Sequence, residues 1–384
     1  MIVIIFSPGF PPWNIGGEEY YAYYQAIELR KLGNEVYVIA SNIGNTANSK
    51  SKPPTFYSLR ARLSLTRPQM LRYAFTGISV FFSFLKLHLR PHVIHAHDPY
   101  GEGLAAVIVK KIFRIPVVIT WHAAELVDKG ARFSIVGDTC RRIVLKNANC
   151  IIVNSELFKK LAINNVGGKN LISKICVVSP GVDVNRFNPL NNNSSKSIAF
   201  ISSDFQVILA VCRLEKIKGL DILIRAAPHV LKEFPKARFI LVGSGNERTY
   251  LERLSQELNV HNNTFFTGAV SDELLPAYYS ICDVFTVPTQ GEGFGMAFLE
   301  AWSSGKPIIV TAHAPEIAKL VQKHGGGFVV ADDPQELAKA IIKLLSNPTL
   351  KSRMGKIGRQ IALTEYSWEK TIFTIYQKYQ TVLR

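Results

Sequence analysis

Short apolar runs alternate with stretches of helical spacing along almost the whole chain, and this alternation limits the fold more than any single motif. In the first half, residues 2–6, 35–40, 93–97, 117–121, 150–154 and 175–179 read as strands, with helical stretches such as 18–32 between them. A polar segment rich in Asn and Ser follows, from Asn188 to Lys196. The pattern then restarts with strands at 207–211, 238–242, 264–266, 284–287, 307–310 and 327–330. Helices are expected at 219–234, 247–258, 272–280, 295–304, 315–322 and 334–346. Apolar strands separated by helices make a parallel sheet covered on both faces. The reading is therefore α/β: two Rossmann-like domains in series. The first spans 1–187, a linker spans 188–203 and the second domain spans 204–366. Ligands of such sheets bind beyond the strand C-termini, so two facing sheets are expected to make an interdomain cleft.

The 384 residues suit two cores better than one. Five cysteines are scattered without a CxxC pair, which argues for reduced thiols and against a zinc site. The apolar start, residues 1–6, lacks the basic flank and length of a signal peptide, so a cytoplasmic location is expected. No apolar run reaches the roughly 18 residues that a membrane span needs. The formal charge is +16 and unevenly placed. Residues 1–195 hold 23 Lys/Arg against 11 Asp/Glu, a net +12, and residues 196–384 hold 22 against 18, a net +4. A basic first half points to an anionic partner. With no nucleic-acid motif in the chain, an anionic membrane surface fits better than RNA or DNA.

The segment Glu292-Gly-Phe-Gly-Met-Ala-Phe-Leu-Glu300 carries the most specific chemistry. Two carboxylates flank a glycine turn, and an apolar, helix-like run follows. A helix starting near Phe294 or Gly295 points free N–H groups at the gap between them. Such a terminus attracts phosphate, which a carboxylate repels. The glutamates thus suit hydroxyl-rich groups on either side of a phosphate. Eight residues of helix rise about 12 Å, the scale of a nucleotide sugar. Arg213 and Lys218 lie just past the strand at 207–211. Arg clamps phosphate with two N–H groups, and Lys neutralises it as a point charge.

Other positions are less specific. Gly16-Gly17 lies between the first strand and first helix, where glycine allows close backbone approach to a ligand. Gly243-Ser-Gly245 is similar but is no GxGxxG match. His122 ends the strand at 117–121, where it faces the expected cleft and suits a hydrogen bond to a reacting sugar hydroxyl. His95, His97 and Asp98 end another strand. No further residues are spaced to complete a metal set, so a pocket role towards acceptor or donor is the better reading, with His97 and Asp98 assigned to the acceptor side. There is no Asp-x-Asp, so no metal is expected, and cations and helix ends are left to hold a diphosphate. Residues 67–90 form a basic-flanked apolar stretch. It reads as a buried helix with basic ends, and alternatively as an interfacial helix on anionic lipid.

With these residues in view, the chain resembles the retaining glycosyltransferases of GT-B architecture, the glycogen-synthase and mannosyltransferase-like group called family 4. The resemblance rests on Gly16-Gly17-Glu18, Thr120-Trp-His122, Val178-Ser-Pro-Gly181-Val-Asp183…Arg186-Phe187 and Arg213…Lys218-Gly219. It continues through Leu241-Val-Gly-Ser-Gly245, Phe266-Thr-Gly268…Val270, Glu292…Glu300 and Tyr366-Ser-Trp368-Glu369. It implies retaining transfer of a hexose from a UDP- or GDP-sugar to an acceptor hydroxyl, without a metal or other cofactor. The acceptor is expected to be a lipid-linked or membrane-surface glycan, with the enzyme peripheral at the cytoplasmic membrane face. By the same resemblance, Arg213 and Lys218 hold the diphosphate, Glu292 the donor sugar and Glu300 the ribose. The amides of Phe294, Gly295 and Met296 line the sugar and phosphate, Gly16, Gly17 and Gly243 approach the donor, and Val270 to Asp272 border base and ribose. His122 sits near the reacting sugar, and the last helix, about 367–384, returns to the first domain. Cys212 and Ala123 depart from the family's usual small residues at those positions. The rival readings are a GT-B nucleotide-sugar epimerase and a non-catalytic anion-binding protein.

Overall fold

A computed structural model describes residues 1–11, 16–41, 58–60, 69–122, 135–166, 169–189 and 204–384. Pro12, Arg67, Ala123 and the linker from 190 to 203 lie outside the described residues. The chain divides into two compact units. Residues 1–180 with 368–384 form one, and residues 181–367 form the other.

In the first unit the apolar runs become a seven-stranded parallel sheet. Its strands are β1 (Ile2–Ser7), β2 (Glu35–Ala40), β3 (Ser58–Arg60), β4 (Val93–His97), β5 (Val117–Trp121), β6 (Cys150–Val153) and β7 (Ile175–Val177), in the order β3-β2-β1-β4-β5-β6-β7. Nearly every residue of β1, β4, β5 and β6 is buried, as helices on both faces require. The second unit has six parallel strands: β8 (Val207–Val211), β9 (Arg238–Val242), β10 (Thr264–Gly268), β11 (Val284–Thr286), β12 (Ile308–Thr311) and β13 (Gly327–Val330). Their order is β10-β9-β8-β11-β12-β13. In each sheet the strand order reverses once, between β1 and β4 and between β8 and β11. A crevice opens at such a reversal because the connections leave in opposite directions.

Three features depart from the sequence expectation. Strand β3 is three residues long and sits in a basic stretch with no apolar run to mark it. The helix Pro348–Glu365 is hidden in the sequence because Gly355 and Gly358 occupy its buried face. Both glycines are needed for contact. A Cβ on Gly355 would lie 2.0 Å from the Gly305 carbonyl oxygen, and one on Gly358 would lie 2.1 Å from Trp302 Cδ1. The boundary falls at Pro180 rather than after Phe187, because Val182 and Phe187 belong to the second core. Ser303 Oγ donates to the Phe187 carbonyl at 2.8 Å, and Arg359 Nη1 donates to the Val184 carbonyl at 2.9 Å.

The C-terminal helix Trp368–Leu383 packs on the helix Gly17–Lys31 within the first unit. Trp368 stacks on Tyr24 at 5.1 Å with a 12° interplanar angle, and meets Tyr21 edge-on. The apolar stretch near residue 80 forms the helix Gln69–Leu85. It buries Val80 and Phe84 but exposes Phe75, Ile78 and Phe82.

Helix propensity and packing make opposite predictions at Gly355. Propensity alone favours alanine in a helix interior by about 1 kcal/mol. The Gly305 carbonyl at 2.0 Å makes Gly355→Ala destabilising by about 1–3 kcal/mol instead. Denaturant unfolding of the second unit measures this, and a stabilised variant would contradict the packing account.

Candidate functional site

In the second unit the loops after β8 and β11 meet at the strand-order reversal. The first makes a tight turn, Lys216–Lys218, that ends on Gly219 at φ +62°. The left-handed conformation favours glycine, and a Cβ there would lie 2.1 Å from the Pro288 carbonyl oxygen. The loops are also stitched by hydrogen bonds. Gln290 N–H donates to the Ile217 carbonyl at 2.7 Å, and Thr289 Oγ1 donates to it at 3.1 Å. This brings Lys218 Nζ to 2.6 Å from Glu292 Oε2, with both side chains mostly buried. An ammonium has three N–H donors, so one bond to Glu292 leaves Lys218 able to meet an anion.

Beyond Glu292 the chain turns through Gly295 at φ +80° into the helix Met296–Ser303. A Cβ on Gly295 would lie 2.7 Å from the Phe298 ring. No side chain caps this helix. Phe298 N–H donates to the Gly295 carbonyl at 3.1 Å, and the N–H groups before it carry the positive end of the helix dipole. Phe294 is buried with its ring 5.3 Å from that of Tyr366, so only its backbone is placed to line a ligand. Met296 opens the helix.

Glu300 lies one turn further along. Its Oε2 accepts a 2.6 Å hydrogen bond from Tyr279 Oη. Burial raises the pKa of Glu300, and the bond from Tyr279 opposes that shift. Arg186 Nη2 donates to the Asp272 carbonyl at 2.6 Å and approaches its Oδ1 at 3.4 Å. Burial raises Asp272 as well. Val270 packs against the second core from the loop after β10. Tyr279 and Arg186 therefore hold the Glu300 neighbourhood. In the sequence Tyr279 reads as one more apolar helix residue, with no signal of its bond to Glu300.

Arg213 is placed differently from Lys218. Its side chain is 72% exposed, and Nη1 pairs with Glu215 Oε1 at 2.6 Å. Exposed pairs contribute only about 0–1 kcal/mol, so this guanidinium is readily redirected. Gly243 does not offer its amide to a ligand. Its N–H is spent on the Gly268 carbonyl at 2.9 Å, and a Cβ on it would lie 1.9 Å from the Cys212 carbonyl oxygen. It acts by letting the glycine loop press against the Arg213 loop. Burial pushes the Cys212 thiol up to about 12, so it stays protonated there.

In the first unit the histidines form one connected array. His97 Nε2 lies 2.7 Å from Gln25 Oε1, which can only accept, so the proton sits on Nε2. His97 Nδ1 then accepts from His122 Nε2 at 3.2 Å, and His122 Nδ1 accepts from Asn154 Nδ2 at 3.1 Å. His95 joins through Nδ1, which accepts from Tyr379 Oη at 2.5 Å; Tyr379 Oη in turn accepts from Gln25 Nε2 at 2.5 Å, and Gln25 Nε2 lies 2.7 Å from the same Nδ1. His95 Nε2 donates to Thr120 Oγ1 at 2.7 Å. The three rings stack at 5.0 and 5.5 Å. His97 is fully buried with both nitrogens used. It holds His122 rather than touching an acceptor, which corrects the acceptor-side expectation for it. Asp98, partly exposed at the end of β4, sits at φ +81°, a conformation that costs a non-glycine residue about 1–3 kcal/mol.

Gly16 precedes the helix Gly17–Lys31 in extended backbone, with Glu18 and Glu19 in the first turn. Glu19 Oε2 lies 2.4 Å from where a Gly16 Cβ would be. Burial raises the Glu19 pKa. A phosphate approaching Gly16 and Gly17 therefore meets a carboxyl group that must be protonated or move aside, a constraint not evident from the sequence. No group of three or more His, Cys, Asp or Glu able to hold a metal occurs among the described residues.

Comparison with known proteins bears on the family and the fold. Residues 15–186 match the family model described as Glycosyltransferase Family 4, and residues 192–361 match Glycosyl transferases group 1. A D-inositol 3-phosphate glycosyltransferase of Corynebacterium urealyticum is 30% identical over 329 residues, 80% of this chain and 76% of the relative. A GDP-mannose-dependent alpha-(1-6)-phosphatidylinositol monomannoside mannosyltransferase of Mycolicibacterium smegmatis is 32% identical over 199 residues. That match covers 49% of this chain and 52% of the relative. Among solved structures, a sucrose-phosphate synthase from Thermosynechococcus elongatus superposes with a TM-score of 0.82 at 23% identity. It covers 99% of this chain and 98% of its own. The chain belongs to the family 4-like glycosyltransferases of GT-B fold.

The histidine array makes stability depend on pH. Burial lowers His95 from 6.5 to about 3 and holds His97 well below 6.5. Both stay neutral when folded, whereas the unfolded chain takes up their protons below about pH 6.5. Stability is thus fully present above that pH and falls as pH drops towards 3, by up to about 1.4 kcal/mol per pH unit for each histidine. Urea midpoints of the first unit between pH 7.5 and 5.5 should decline. The decline should be shallower in His95→Asn. Flat midpoints would contradict neutral burial.

Proposed function

We propose that the chain transfers a hexose from a UDP- or GDP-sugar to an acceptor hydroxyl, with retention at the anomeric carbon. The Lys218–Glu292 pair beside the uncapped helix at Gly295 carries this reading. A departing nucleoside diphosphate accumulates negative charge. Lys218, Arg213 and the amides of 294–296 offset it, with no metal assigned to the task. Glu292 accepts hydrogen bonds from sugar hydroxyls while it fixes the Lys218 ammonium. Glu300, held by Tyr279, accepts from the ribose hydroxyls. The acceptor oxygen bonds to the anomeric carbon on the face that the diphosphate leaves, and its proton passes to the departing phosphate oxygen. His122 is assigned to a sugar hydroxyl. A sugar hydroxyl must exchange with His97 or Asn154 to reach a ring nitrogen.

A lipid-linked or membrane-surface glycan is the proposed acceptor. The basic first half supports it, as does the phosphatidylinositol mannoside in the name of the Mycolicibacterium relative. The place of work is then the cytoplasmic face of a membrane. No helix among the described residues is long and apolar enough to cross one.

Lys218→Ala and Glu292→Ala should each lower the transfer rate by roughly 10²–10³. Release of nucleoside diphosphate from a panel of UDP- and GDP-sugars, with polyprenyl- and inositol-linked acceptors, provides the measurement. If both variants turn over like the wild type on the best donor and acceptor, the site assignment fails.

A further inference from the structure

Helices on the surface of a sheet normally turn their polar side to water. Two neighbouring helices of the first unit do not. Gln69–Leu85 exposes Phe75, Ile78 and Phe82, spaced as one stripe, at 36%, 46% and 57%. Gly101–Phe113 exposes Ile108, Ile112 and Phe113 at 37%, 58% and 46%. The helices pack side by side. A Cβ on Gly77 would lie 3.1 Å from the Gly101 carbonyl oxygen, and the rings of Phe84 and Phe113 meet at 5.6 Å. Exposed apolar residues scattered singly are normal, but contiguous ones mark a contact surface. Here half of the twelve exposed large apolar side chains of the described residues fall on these two helices.

Charge surrounds the stripe on one side. Lys86, Arg90, Lys111 and Arg114 are exposed at and just beyond the C-terminal ends of the two helices. None of them forms an ion pair among the described residues. The one carboxylate on either helix, Glu102, is buried and bonded to Ser41. Helix dipoles account for some cations at these ends. They do not account for Arg90, which lies beyond the helix, or for the apolar stripe.

We infer that this face docks on an anionic lipid surface. The aromatic and isoleucine side chains enter the headgroup boundary, and the four cations meet lipid phosphates. A second copy of the chain fits poorly, because a two-fold contact sets these four cations against the same four, in a chain half that already carries a net +12. The inference takes up the membrane acceptor proposed above. Vesicle binding is scored without any sugar transfer, so the two proposals fail separately.

Flotation of the full chain with vesicles tests it. Binding is expected to vesicles containing phosphatidylglycerol at low salt, and little to pure phosphatidylcholine. Removing each cation should weaken binding about fivefold, so Lys111→Ser with Arg114→Ser should weaken it by more than tenfold. Phe82→Ser with Ile112→Ser, at exposed positions that leave the fold intact, should weaken it at least several-fold. Unchanged melting temperatures and unchanged donor-induced thermal shifts confirm that the variants are folded. Absence of flotation with anionic vesicles overturns the inference. So does flotation that both pairs of substitutions leave unchanged, or a concentration-dependent dimer that Phe82→Ser with Ile112→Ser dissolves.

Discussion

The reversal of strand order between β8 and β11 is the constraint on which the second unit's chemistry depends. Two loops leave adjacent strands and are forced together, with Gly219 against Pro288 and Gln290 bonded to Ile217. The Lys218–Glu292 pair follows from that approach. A mostly buried ion pair is costly unless other interactions repay it. Here the positive end of the helix Met296–Ser303 begins four residues beyond Glu292. The cation, the carboxylate and the helix end together give the proposed donor site separate places for phosphate and sugar hydroxyls.

The first unit solves a different problem. It places His95 and His97 in a core where burial penalises protonation, and the amide of Gln25 sets which nitrogen of each carries the proton. Tyr379, on the last helix, closes the array through Gln25 and His95. The C-terminal helix is thus part of the support for His122, although Tyr379 and Gln25 lie 354 residues apart in the chain. That dependence gives the return of the chain to its first unit a chemical purpose beyond covering the helix Gly17–Lys31.

Much of the architecture was legible in the chain because strands buried on both faces must be apolar throughout. Val93–His97, Val117–Trp121, Val207–Val211 and Arg238–Val242 fall where their apolar runs indicate. Lys218, Glu292 and Glu300 were legible because a cation after one strand and carboxylates around a helix start are unusual in a loop that serves only as a connection. Their partners were not. Tyr279, Gln25 and Tyr379 act through contacts distant in sequence, which no local spacing encodes. The helix Pro348–Glu365 was hidden by glycines that packing demands. The exposed stripe on Gln69–Leu85 is not legible in the sequence because apolar composition is the same for buried and exposed faces.

The central claim is that Lys218 serves the donor diphosphate. Calorimetric titration of UDP and GDP into the wild type and Lys218→Met, with Lys232→Met as an exposed control on the helix Leu220–Glu233, tests it without needing the acceptor. Loss of a charge-assisted hydrogen bond should weaken the preferred nucleotide about 10- to 100-fold in Lys218→Met, and leave the control unchanged. Equal affinity in wild type and Lys218→Met would contradict the account.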